Sequence, residues 1–117
     1  VKVKAIGHKS GKYCLLEDNR WVEINPATGD VLREIKPRRF VEYDDQGNIV
    51  AVHDIEFSCL LEEAGPAALF VSPPGQPPRK WLEVDDKHPL RRMDGRDLIK
   101  KHRVGPKGLE PKTGGIP

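Results

Sequence analysis

Apolar and polar residues alternate with a period of two through the first half of this chain, the pattern of strands buried on one face. Val1, Val3 and Ala5 alternate with Lys2 and Lys4. His8-Lys9-Ser10-Gly11 reads as a turn and residues 12–17 as a second strand. Asp18-Asn19 leads into a third strand, residues 21–24. Asn25-Pro26-Ala27-Thr28-Gly29-Asp30 joins a proline that fixes φ to a glycine that supplies positive φ, which is strong turn chemistry. Residues 31–35 return as a fourth strand, and Pro37 ends it.

Two runs, 39–43 and 48–52, flank Asp44-Asp45-Gln46-Gly47 and predict a hairpin on a type I turn with glycine at the left-handed position. The strand after that turn is expected to be long. Ile49, Ala51, His53, Ile55, Phe57, Cys59 and Leu61 share one face, and six of these seven are apolar, so this face is expected inside. A bend near His53-Asp54 divides it. Tyr13-Cys14-Leu15-Leu16-Glu17-Asp18 also resembles Ser58-Cys59-Leu60-Leu61-Glu62-Glu63, and residues 21–24 resemble 68–71. Two related hairpin units or chance both account for that echo.

The pattern changes in the second half. Ser72-Pro73-Pro74-Gly75-Gln76-Pro77-Pro78 reads as a polyproline-like spacer, with binding to an aromatic groove as the alternative. Residues 81–84 form a last strand. Asp94 is placed to cap a short helix near residues 95–102, with Leu98 and Ile99 as its apolar contacts. No ordinary secondary structure is expected after Val104. The fold class is therefore mainly β: a small barrel or sandwich of about six to eight short strands, one short C-terminal helix and an extended basic arm.

Charge sharpens the division. Residues 1–86 hold 11 Lys or Arg against 15 Asp or Glu, whereas residues 87–117 hold 9 against 3. Of the 11 prolines, nine lie beyond residue 65. An acidic β-rich body over 1–86, folding without its arm, and a basic arm over 87–117 describe this simply. The arm's expected contact residues are Lys87, Arg91, Arg92, Arg96, Lys100, Lys101, Arg103, Lys107 and Lys112, with Leu109 and Ile116 as apolar anchors. Such an arm suits an acidic protein surface or nucleic acid, or is a solvated tail.

Candidate chemistry is thin. His53-Asp54 suggests a poised base, but neighbours in a strand point to opposite faces, so a hydrogen-bonded core histidine is the better reading. Asp44-Asp45 and Asp85-Asp86 are acid pairs of the kind that binds cations, yet they fall at turns and no third ligand is placed. Cys14 and Cys59 lack zinc spacing and are expected as reduced core thiols, with one disulfide as the alternative. Gly105-Pro106-Lys107-Gly108 and Thr113-Gly114-Gly115 lack the strand and helix that a phosphate loop needs. No catalytic residue, cofactor or metal site is assigned. There is no apolar run long enough for a membrane span and no visible signal peptide; the location is left open, with a virion or the cytoplasm as the options.

These readings point to a non-enzymatic structural or adaptor subunit on a larger protein assembly, such as a capsid-decorating or head–tail joining component of a viral particle. The alternative is a small barrel that binds single-stranded nucleic acid. Tyr13, Trp21, Phe40 and Tyr43 among Lys12, Arg20, Arg38 and Arg39 would be its stacking surface.

Overall fold

The computed structural model describes residues 3–7 and 9–112. It is mainly β, with three antiparallel sheets and two α-helices, and the sheets do not close into a barrel. The chain forms two compact units, residues 1–37 with 56–69 and residues 38–55 with 70–117.

In the first unit, strands β1 (Val3–Ile6), β2 (Tyr13–Leu16), β3 (Trp21–Ile24) and β4 (Val31–Ile35) form a four-stranded meander in that order. The expected turns join them. The Asn25 side chain accepts the Ala27 amide at 2.9 Å, and the Gly29 amide returns to the Asn25 carbonyl at 2.7 Å. Pairing of Val3 with Leu16 and of Cys14 with Val22 puts an apolar stripe on one face, where Cys14, Leu16 and Val22 are buried. On the other face Trp21 stacks on Phe57 with ring centroids 4.1 Å apart, and Tyr13 meets the same ring at 5.5 Å. Both cysteines are free; Cys14 is buried, and the half-buried Cys59 thiol donates to the Gly7 carbonyl at 3.0 Å.

The long strand expected to reach Leu61 stops at Ile55, and Cys59–Ala64 forms helix α1 instead. Ser58 explains the switch. Its hydroxyl accepts the Leu61 amide at 3.2 Å, which satisfies a first-turn donor, and Gly65 ends the helix with φ 90°. Between those caps, Leu60 to Ala64 are good helix formers. The echo between residues 13–18 and 58–63 therefore joins a strand to a helix, and 68–71 falls largely in a 3-10 turn over Pro66–Phe70. Ser58→Ala is expected to cost about 1 kcal/mol, read from urea unfolding. An unchanged midpoint would show that the cap contributes nothing.

In the second unit, β5 (Arg38–Tyr43) runs between β6 (Ile49–Ile55) and β7 (Lys80–Val84). The β5–β6 hairpin is the one expected. The Asp44 carboxylate accepts the amides of Gln46 and Asn48 at 3.0 and 2.8 Å. A register shift at Glu42/Tyr43 pairs Tyr43 with Ile49 and leaves Val50 as the extra, exposed residue. This bulge moves Ile49 off the face of Ala51 and His53 and into the core, which strict alternation did not anticipate. That core is Val41, Ile49, Val84, Leu98 and Val104.

Helix α2 (Gly95–Lys101) follows its Asp94 cap, whose carboxylate accepts the Arg96 amide at 2.9 Å. The extended arm expected after it is instead a hairpin of β8 (His102–Gly105) and β9 (Gly108–Pro111). Val104 and Leu109 pair across it; Val104 is a core residue and Leu109 packs against that core. Val84 and Leu98, on either side of the boundary expected between residues 86 and 87, share this core. The proline-rich segment also differs from an extended spacer. The Gln76 amide bonds the Pro73 carbonyl at 3.1 Å, and Pro74-Gly75 sit at the centre with Gly75 at φ 84°, the sign a type II turn requires.

Candidate functional site

The second unit's sheet has two chemically distinct faces, sorted by alternation along β5. Arg39, Val41 and Tyr43 face the core; Arg38, Phe40 and Glu42 face the other way, consistent with their pairing to Glu83, Trp81, His53 and Ala51. On that second face Phe70 stacks on Trp81 at 5.4 Å, and Phe40 meets both rings edge-on. Arg79 lies over Phe70 at 5.2 Å and holds both oxygens of Glu42, at 2.6 and 2.8 Å. His53 Nε2 lies 3.1 Å from Glu42 Oε1. Asp54 is on the opposite face, bound to Arg39, so it does not orient His53. The histidine is half-buried rather than in the core, and it lies beside a carboxylate that Arg79 also binds.

Arg39, expected on the aromatic–basic stacking surface, has a different place in the fold. It is buried, grips Asp54 through two bonds of 2.6 and 3.1 Å, and donates to the Met93 carbonyl at 2.5 Å. The bonds from Arg39 hold the Asp54 carboxyl below its ordinary pKa, and those from Arg79, then His53, do the same for Glu42. A carboxylate with a depressed folded pKa contributes stability above its unfolded pKa of about 4 and loses it as pH falls through the folded value. Urea stability is therefore expected to be flat near neutrality and to fall below pH about 4, with Asp54→Asn flattening that fall. Equal stability of the wild type at neutral and strongly acid pH would contradict this.

The residues of the expected aromatic–basic stacking surface are mostly engaged within their own units. Tyr13, Phe40 and Arg39 are buried, Trp21 is covered by Phe57, and Arg38 and Arg20 are tied to Glu83 and to Asp18 with Glu34. The acid pairs serve turns and surface contacts: Asp44 its hairpin, Asp45 an ion pair with Lys80 at 2.9 Å, and Asp85 the Lys87 amide. No group of three His, Cys, Asp or Glu suited to a metal occurs among the described residues. Nor, among them, is any helix long and apolar enough to cross a membrane.

What remains is the basic C-terminal segment. Three of its expected contact residues are engaged within the unit. Arg103 pairs with Glu110 and donates to the Gln46 carbonyl at 2.6 Å; Arg91 lies half-buried near Asp54; Leu109 packs inward. Ile116 lies outside the described residues. The other seven, Lys87, Arg92, Arg96, Lys100, Lys101, Lys107 and Lys112, are exposed and make no ion pair among the described residues. For the five from Arg96 onward the backbone is tied down: Leu98 anchors α2, the Val104 amide bonds the Gly47 carbonyl at 2.8 Å, and the Lys112 amide bonds the Lys101 carbonyl at 2.9 Å. Two open clefts, of about 130 and 280 Å³, are lined by other residues: Trp21, Glu34 and Lys36 in the first unit, Glu42, Tyr43 and Arg79 in the second. No family model and no curated protein matches the sequence, and no solved structure matches the fold.

Proposed function

We propose that this chain is a non-enzymatic structural or adaptor subunit that docks on a larger protein assembly, in the way of a capsid-decorating or head–tail joining component of a viral particle. One observation carries the reading: seven exposed basic side chains make no ion pair among the described residues, with Lys87 and Arg92 in the turns before α2, Arg96, Lys100 and Lys101 on α2, Lys107 in the turn of the last hairpin and Lys112 just after it. Elsewhere in the second unit arginines are matched to carboxylates, as in Arg38–Glu83, Arg39–Asp54 and Arg79–Glu42. Like charges gathered on a rigid surface repel one another, and an anionic partner removes that cost. The small β-rich units supply a firm base from which such a surface is presented.

Gel filtration of an extract from the source, with the native chain followed by antibody, tests this. Elution far above the monomer mass, abolished by high salt, is expected. Elution of the native chain as a free monomer at its natural concentration counts against the docking role.

A further inference from the structure

We infer that the outward face of α2, with Lys112 beside it, binds a carboxylate-rich segment of a partner protein; this rests on the docking role proposed above. Burial assigns the helix faces. Leu98 is buried and Ile99 half-buried, while Arg96, Asp97, Lys100 and Lys101 are exposed. Arg96 and Lys100 stand four apart in one row, where like charges repel, and Asp97 and Lys101 form the next row. The hydrogen bond from the Lys112 amide to the Lys101 carbonyl fixes a further cation beside that row. The face thus presents a run of cations interrupted by one carboxylate.

Two features select protein carboxylates over nucleic-acid phosphates. Residues 87–112 contain no Phe, Trp or Tyr, so the bases of a single strand find no stacking platform there. Asp97 repels a uniform polyanion, whereas a partner segment of acidic residues with a base among them matches it charge for charge.

The test uses the full chain labelled with ¹⁵N, titrated at low and at physiological salt with a glutamate-rich oligopeptide that carries one internal lysine and with an oligothymidylate of equal net charge. The peptide is expected to shift the amides of Arg96, Lys100, Lys101 and Lys112 and to bind more tightly than the oligothymidylate. Combined Arg96→Glu and Lys100→Glu substitution is expected to weaken peptide binding by about tenfold or more. Both positions are exposed, so the fold is retained; if the double reversal unfolds, Arg96→Gln with Lys100→Gln is read instead, with a smaller loss in the same direction. Tighter oligothymidylate binding, shifts confined elsewhere, or binding indifferent to the substitutions overturns the inference. The double variant in the source extract separates the two claims. If it falls to the monomer volume, the α2 face is the docking surface. If it still elutes with the large assembly, docking uses another surface and only this inference fails. Failure of the wild type to enter any assembly removes the docking role itself.

Discussion

Replacing Gly47 by alanine is expected to destabilise the second unit by about 3 kcal/mol or more, among the largest effects of any single methyl addition in the chain. Two costs combine. Gly47 has φ 84°, where an L side chain is strained by about 1–2 kcal/mol. In addition, a Cβ there would collide with the Val104 backbone oxygen, and behind it lies the Arg103 guanidinium at 2.7 Å. The β5–β6 turn and the last hairpin meet at this residue, through the Val104 amide bond and the bridge between Asn48 and Arg103. Gly75 is a control built into the chain: it has the same φ of 84°, and a Cβ added there meets nothing within 4 Å. Gly75→Ala is expected to show only the conformational cost. Urea unfolding of both variants decides it, and equal losses would mean that the Val104 contact is immaterial.

Leu98→Ala is expected to lose about 3 kcal/mol, because Leu98 is fully buried and its removal leaves a cavity among Val41, Ile49, Val84 and Val104. Deletion of everything after Asp86 extends the argument. It removes Leu98 and Val104 from the core and leaves Arg39 without its Met93 acceptor, a buried guanidinium short of a partner. The shortened chain is expected to lose the cooperative unfolding of the β5–β6–β7 sheet, read as exchange protection at Val41. Charge composition alone suggests the opposite, that residues 1–86 fold unaided. Retained protection at Val41 in the shortened chain would vindicate that simpler division.

Most strands were legible because period-two alternation and turn chemistry agreed, as at residues 21–24, 31–35 and the Asp44–Gly47 turn. Helix α2 was legible for the same kind of reason, an Asp94 cap before Leu98 and Ile99. Helix α1 was not. Its apolar residues fit both a period of two and a short helix, and only the Ser58 cap and Gly65 stop separate the two readings. The final hairpin was hidden by its Gly, Pro and Lys content. Its signal lay in symmetry about Pro106-Lys107, where Val104 faces Leu109 and Arg103 faces Glu110. The basic segment was visible as a charge excess, but which cations are already taken depends on register. Arg103 is neutralised because the hairpin brings Glu110 opposite it, and no count of charges reveals that.

The two units alternate along the chain, which passes between them after residues 37, 55 and 69. Synthesis therefore cannot complete one before beginning the other. When β5 leaves the ribosome, the first unit still lacks Phe57 and α1, and β5 itself waits for β7 and for Leu98. The first unit is closed once residue 69 has emerged, while the second needs nearly the whole chain. Nascent β5, with Phe40 and Val41 uncovered, is thus open to wrong pairing during translation, and the hairpin with β6 is its earliest available protection.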